Sequence, residues 1–445
     1  MQDKEYLIHY SPLRALIIFS LPMMLGNLFQ QLYTMTDSVI VGRFVGEKAL
    51  AAVGASYSLT SVFIAVAIGG GVGSSVLVSR TFGSRNYNSM KGSISTSLVS
   101  FMVLSLVLAL FGYIFSPQIM NALNTPSDIL SDAVLYLRIY FLGLPFLFMY
   151  NVLSSVFNAL GKSKIPLYLL IFSSLLNVIL DLVMVAVFGW GIAGAAWATL
   201  IAQALSACIS FVILIRNLNA MEGKACRLFD SYIFTRMVRL AIPSIIQQST
   251  VSIGMMLVQS VVNSFGSEVL AGYSAGMRIE NIATVPMVSI GNALSSYTAQ
   301  NLGARKEDRV VKGYHMTYLM VLFFALLECL ILQLFSHQLI SMFIGGEGTP
   351  AAYRTGEDYL TFIGWFFAVI GFKMSTDGLL RGSGDVKVFT LANLVNLSVR
   401  VISSFALAPL LGVDVVWYAV PAGWLCNWMI SFTGYRYRRR KKLLG

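Results

Sequence analysis

Residues 169–189 read LLIFSSLLNVILDLVMVAVFG, an apolar run in which Asp181 is the single charge. About 20 apolar residues span the roughly 30 Å hydrocarbon core of a bilayer as an α-helix. In lipid the backbone has to satisfy its own hydrogen bonds, so the run reads as a transmembrane helix. A carboxylate at the centre of such a helix costs roughly 2.5 kcal/mol or more unless a cavity, a partner or a proton relieves it. Residues 28–44, LFQQLYTMTDSVIVGRF, repeat the pattern with Asp37. Two such acids in one half of the chain point to an ion or proton site.

Working outward, the whole sequence is of this kind. Of its 445 residues 57% are hydrophobic and 11% charged, and the mean hydropathy is +0.74; an average soluble domain is roughly 25% charged. Spanning runs recur near 15–37, 50–78, 93–115, 134–158, 166–188, 192–215, 240–264, 270–296, 314–335, 359–380, 388–410 and 416–434. The fold class expected is an all-α integral membrane protein of about twelve transmembrane helices. The N-terminus, MQDKEYLIHYSPLRA, mixes acidic and basic residues without a cleavage pattern, so the first run is expected to be a retained helix.

The net charge of +11 would suggest nucleic acid in a soluble protein. Here placement decides. Alternating the polar breaks between two sides gathers Lys4, Arg14, Arg80, Arg85, Lys91, Lys162, Lys164, Arg216, Lys224, Arg227, Arg236, Arg239, Arg305, Lys306, Arg309, Lys312, Arg381, Lys387 and the tail from Arg436 to Lys442 on one side. Arg43, Lys48 and Arg354 fall on the other. The positive-inside rule then places both termini in the cytoplasm and the protein in the cytoplasmic membrane, as a multi-pass chain. The basic tail suits anionic lipid, and no nucleic acid partner is expected. Cys208, Cys226, Cys329 and Cys426 are widely spaced, and His9, His315 and His337 are isolated. No cofactor, no histidine-bound metal and no catalytic triad are supported.

An internal repeat organises the chain. FSLPMMLGNLFQQLYTMTDSVIVGRFVGEKALAAVGAS (19–56) aligns with RLAIPSIIQQSTVSIGMMLVQSVVNSFGSEVLAGYSAG (239–276), placing Pro22 on Pro243. TFGSRNYNSMKG aligns with NLGARKEDRVVKG, placing Gly83 on Gly303 and Arg85 on Arg305, and GKSKIP aligns with GDVKVF. An even number of spans per half gives two copies of the same orientation, the parallel-repeat arrangement of many transporters. The boundaries expected are an N-lobe at 1–215, a cytoplasmic linker at 216–238 and a C-lobe at 239–445.

Several residues in these spans carry chemistry. Asn177 and Asp181 share one helical face, as do Tyr33 and Asp37. Amides and hydroxyls beside a carboxylate either hold a cation through oxygen or hydrogen-bond the protonated acid, so proton and sodium stay open. Pro22 removes a helical hydrogen bond upstream of Asp37 and is the candidate hinge. In the second half Arg278, Glu280, Lys373 and Asp377 are candidate substrate or inter-lobe contacts, with Lys373 and Asp377 spaced to pair along one face. Glu328 has no evident partner, and Arg138 and Arg400 lie near enough to span ends to snorkel. The GGGVGSS run at 69–75 lacks the Lys-Ser/Thr ending of a phosphate loop and suits close helix packing.

With these residues in place, the chain resembles the multidrug and toxic compound extrusion (MATE) transporters. The resemblance runs from about Leu13 to Tyr435 and is carried by MTDSVIVGRFVGEKALAAVGAS, SRTFGSR, NVILDLVMVAVFGWGIAGAAWAT and LLRGSGDVK. It implies two six-helix lobes, alternating access, and efflux of drug-like, often cationic compounds driven by protons or sodium. The family's N-lobe cation site would fall on Asp37, Asn177 and Asp181, with Tyr33, Asn158 and Thr199 as nearby oxygen donors, and bending of the first helix on Pro22. One departure is that some members carry acids on the seventh and tenth spans, where this chain reads IIQQSTVSI and GFKMSTDGL, leaving Asp377 as the one substitute.

The reading reached is a monomeric, cation-coupled antiporter that exports amphipathic organic compounds, and not an enzyme. A lipid-linked saccharide flippase of the same architecture is the alternative, and an intramembrane enzyme using Asp37 and Asp181 as an acid/base pair a remote third.

Overall fold

A computed structural model describes residues 5–123, 125–223, 227–344 and 348–443. Lys4, Lys224 and Cys226 lie outside the described residues, and the side chains of Lys48, Arg438, Arg440, Lys441 and Lys442 are not described. A short helix α1 (Tyr6–His9) leads into α2 (Pro12–Phe44), α3 (Glu47–Gly83), α4 (Tyr87–Ala122), α5 (Leu130–Ala159) and α6 (Lys164–Asp181). A π-helical segment, Leu182–Val187, continues α6, and α7 (Gly191–Asn219) follows. The second half comprises α8 (Ser231–Asn263), α9 (Ser267–Ala283), α10 (Val285–Gly303), α11 (Glu307–Ile344), α12 (Pro350–Gly364), α13 (Phe367–Ser383), α14 (Val386–Leu411) and α15 (Asp414–Leu443).

Each of the twelve apolar runs lies on helix. Among the described residues nine helices are long and apolar enough to cross a membrane, and α12 with α13, bent by 57°, form a tenth as a pair. The eighth run is α9 and α10 end to end, with Thr284 capping both. Polarity is inverted relative to a soluble bundle. Helix α4 buries Ser93, Ser97, Ser105 and Ser116 while Val107 and Leu110 stay at least 60% exposed. Each of those serines donates to a carbonyl of its own helix, which satisfies a hydroxyl where water is absent.

Backbone geometry carries the repeat independently of side chains. Eight of the ten left-handed residues among those described recur in pairs: Gly46 (φ 104°) with Gly266 (99°), Arg85 with Arg305 (both 57°), Gly161 (75°) with Gly384 (81°), and Gly189 (66°) with Gly412 (97°). These are the turns where consecutive helices reverse, and glycine or a strained residue is what such turns need.

The chain forms two compact units, Leu25–Ile245 and Met1–Met24 with Ile246–Gly445. The division falls inside α2 and α8, just past Pro22 and Pro243. Of residues 216–238, those to Asn219 end α7 and those from Ser231 open α8. Just after α7, Lys91 Nζ donates to the carbonyls of Met221 (2.9 Å) and Gly223 (2.7 Å).

In the first unit α5 is central: Leu144, Phe148, Val152, Leu153, Val156 and Phe157 are wholly buried against α3, α4 and α7. The 69–75 run serves close approach, since a Cβ on Gly69 would meet the backbone of Ile245 at 2.6 Å and one on Gly73 the backbone of Ala241 at 2.8 Å. In the second unit α10 and α13 pack backbone to backbone, with a Cβ on Gly378 directed into the carbonyl of Gly291 and one on Gly382 into that of Ser295. Overpacking of this kind costs about 1–3 kcal/mol. Gly378→Ala is therefore expected to lower the thermal unfolding midpoint in detergent. Gly54→Ala, whose added methyl meets nothing within 4 Å, is expected to leave it unchanged.

Candidate functional site

Four helices of the first unit bring polar side chains to one place. Helix α2 supplies Tyr33 and Asp37, α5 supplies Tyr136, α6 supplies Asn177 and Asp181, and α7 supplies Thr199. The Asp37 and Asp181 carboxyls lie within hydrogen-bonding reach of one another. Asp181 is fully buried, Asn177 nearly so, and Asp37 half-buried. The Tyr33 hydroxyl bonds that of Thr199, and both Tyr33 and Tyr136 feel the charge of the two carboxyls.

Asn177 organises the buried side of this cluster. With its amide oriented to satisfy its neighbours, its nitrogen donates to Oδ2 of Asp181 at 2.8 Å. Its oxygen accepts from the backbone N–H of Thr199 at 3.1 Å. That leaves Oδ1 of Asp37 and Oδ1 of Asp181 buried without a protein partner. Two carboxyl groups at this range need positive charge between them, as a shared proton or a cation. The oxygens left for a ligand are those of the carboxyls and the neighbouring hydroxyls, a set that suits a hard cation or a proton, while the Asn177 amide anchors Asp181 through its nitrogen. No lysine or arginine acts on Asp37 or Asp181 among the described residues.

The local backbone sharpens the position of Asp181. It is the last α-helical residue before the π-helical turn, and the Phe188 N–H reaches back to the Val183 carbonyl at 2.9 Å. Insertions of this kind recur at functional sites because they free backbone groups and re-aim side chains. Neither this turn nor Tyr136 was expected from the sequence. A tyrosine in a tyrosine-rich chain carries no signal, and the β-branched run VMVAV before Gly189 is the one hint of irregular helix.

Asn158 is a correction. It lies at the far end of α5, about six turns and roughly 33 Å of helix from Tyr136. It therefore does not join Asp37, Asn177 and Asp181, and its Oδ1 is buried without a partner. Similarity of motifs assigns a residue to a span, whereas depth along the helix decides whether it reaches the cluster. Pro22 stands within the unbroken helix α2.

The second unit is arranged differently. Lys373 Nζ and Asp377 Oδ2 pair at 3.0 Å, both 3% exposed, and Asp377 also accepts from Asn393 (3.3 Å) and Ser431 (3.2 Å). Glu280 is buried and accepts from the Tyr359 hydroxyl. Arg278, on the other face of α9, is exposed. Glu328 is 9% exposed, with Oε2 unpartnered. Arg138 stacks over the Tyr113 ring at 5.6 Å, and Arg400 is half-buried with its Nε lacking a protein partner.

This fold and site belong to a known class of membrane transporter. The MatE family profile matches residues 22–183 and again 243–406, one match in each half. The chain is 30% identical over 432 residues to the probable multidrug resistance protein YpnP of Bacillus subtilis, covering 97% of this chain and 96% of the relative. It is 23% identical to the multidrug export protein MepA of Staphylococcus haemolyticus, over 99% and 97% of the two chains. A crystal structure of a MATE protein in complex with MaL6 superposes with a TM-score of 0.91 at 22% identity, covering 98% of each chain. The protein belongs to the MATE family, whose members are multi-pass membrane transporters and not enzymes.

The difference in burial between the two acids is measurable. A hydrophobic carbodiimide is expected to modify Asp37 well before Asp181, as read by peptide mass spectrometry of purified protein. Equal rates at the two positions would contradict the arrangement.

Proposed function

We propose that the protein is a cation-coupled antiporter that exports amphipathic organic compounds, with coupling at Asp37, Asp181, Asn177, Thr199 and Tyr33, assisted by Tyr136. The observation that carries this reading is the pair of carboxyls within hydrogen-bonding reach in apolar spans, with hydroxyls and the Asn177 amide around them and no basic residue acting on them among the described residues. A site of that kind binds a proton or a sodium ion and changes charge as it does so. Multidrug resistance and export, named for the relatives YpnP and MepA, supply the substrate class.

Both termini lie in the cytoplasm, as the basic residues indicate. One charge moving inward across 100 mV contributes about 2.3 kcal/mol, close to a fiftyfold concentration ratio. That is sufficient for export against a gradient. Occupation of the site by the ion favours one orientation of the two halves and its release the other. Pro22, between Asp37 and the start of α2, is where the first helix adjusts.

Asp37→Asn and Asp181→Asn are each expected to reduce export in proteoliposomes to background while leaving folded protein by size-exclusion chromatography. Full activity in both variants would remove the coupling site. Proton and sodium gradients imposed separately identify the ion: the driving gradient accelerates dye export in the parent and has no effect on either variant.

A further inference from the structure

Helix α1 is four residues long, too short to persist on its own backbone hydrogen bonds. It is held from outside. Leu7 and Ile8 are 1% and 4% exposed, and the carbonyls that so short a helix leaves without an internal partner are taken up by side chains of α10, α11 and the turn between them. Arg309 Nη2 donates to the Leu7 carbonyl at 3.3 Å and to that of Tyr10 at 2.6 Å, Asn301 Nδ2 to Leu7 at 3.1 Å, and Lys306 Nζ to Ile8 at 3.3 Å. Arg309 is itself fixed. Its Nε donates to Oδ1 of the fully buried Asn301 at 3.0 Å, and the Tyr297 hydroxyl donates to its carbonyl at 3.0 Å.

The first unit treats the backbone ahead of α8 in the same manner. Lys91 of α4, 9% exposed, donates to the carbonyls of Met221 and Gly223, and the Asp230 N–H, just before α8 opens, donates to Thr96 Oγ1 of α4 at 3.1 Å. Lys91 stands six residues after the left-handed Arg85 and Arg309 four after the left-handed Arg305, so the two contacts are not one inherited pair of residues. Different bases serve one task. Each binds carbonyls just ahead of a helix that changes unit along its length, α2 at Met24–Leu25 and α8 at Ile245–Ile246. Burial of Leu7 and Ile8 would suffice to cover apolar surface. A guanidinium bonded to the Leu7 and Tyr10 carbonyls and to Asn301 adds a defined position.

Asp37 lies roughly 37 Å of helix beyond Pro12. It is on the part of α2 that belongs to the first unit, whereas the start of α2 belongs to the second. Rigid helices carry coupling between distant places only when both ends are held. We infer that Arg309 is a positioning residue for export: by clasping the Leu7 and Tyr10 carbonyls it roots α2 in the second unit, so that a change at the Asp37 end is delivered there and not lost in movement of a loose N-terminus. Asn301 keeps the guanidinium in place. The inference rests on the Asp37–Asp181 pair being the coupling site.

Two measurements on the same purified proteins test it: gradient-driven dye export in proteoliposomes, and thermal unfolding against sodium concentration and against pH. Arg309→Met is expected to lower the maximal export rate roughly five- to tenfold with the dye KM unchanged. It should keep the parental response of the unfolding midpoint to the ion, which Asp37→Asn loses. Arg309→Lys should restore most of the rate, since Lys91 holds two carbonyls with one ammonium. Loosening the strap from its apolar side, with Leu7→Ala/Ile8→Ala, should give the same loss, and adding Arg309→Met should lower the rate no further, because both act through one docked segment. Arg309→Gln replaces Arg309→Met should the latter not fold, and failure of both to fold overturns the inference. So does parental export by Arg309→Met, loss of its ion response, an equal loss in Arg309→Lys, or additive losses in the combined variant. A parent whose export no ion gradient drives removes the coupling reading and this inference with it. Export lost in Asp37→Asn and kept in Arg309→Met removes this inference alone.

Discussion

Charge within hydrocarbon must be matched inside the protein, and the structure follows from how each unit meets that requirement. A helix in lipid satisfies its own backbone, so the cost is concentrated in a few side chains. Where those side chains are acids with only neutral oxygen donors around them, matching has to come from a mobile cation. Where an arginine or a lysine is built in, it has already been met. Among the described residues no base acts on the Asp37–Asp181 pair, which on the proposed function is of the first kind; Lys373–Asp377 is of the second.

The same constraint sets the packing. Outward-facing leucine and valine gain nothing by pairing with one another when the solvent is lipid, so close contact of small residues has to hold helices together. Gly69 and Gly73 of α3, and Gly291, Gly378 and Gly382 of α10 and α13, do this by letting backbones approach directly. The buried serines of α4 add no repulsion, because each hydroxyl is returned to its own helix. Rigid units result, and the polar clusters inside them are held in defined geometry.

Much of this was legible in the residues. Spans, repeat and the two unmatched acids follow from apolar length, from self-similarity and from the cost of Asp37 and Asp181 in such runs. Phase around a helix also reads well, so the Asn177–Asp181 and Lys373–Asp377 pairings emerged at four-residue spacing. Depth and irregularity did not. Asn158 is on the expected span yet about six turns from Tyr136, because motif similarity carries order and not height. The π-helical turn after Asp181 arises from a local change of hydrogen bonding that apolar residues do not announce.

Duplication explains why one chain contains both kinds of match. Two copies with exchangeable ions would pass through several charge states, each with its own conformational preference. Energy from an ion gradient biases a conformational equilibrium only through a site whose occupancy differs between states. An acid closed by a tethered base, as Asp377 is by Lys373, keeps one charge and adds nothing to that difference. On the proposed function, the Asp37–Asp181 pair carries it, and the ion is read where those two acids meet without a built-in base among the described residues.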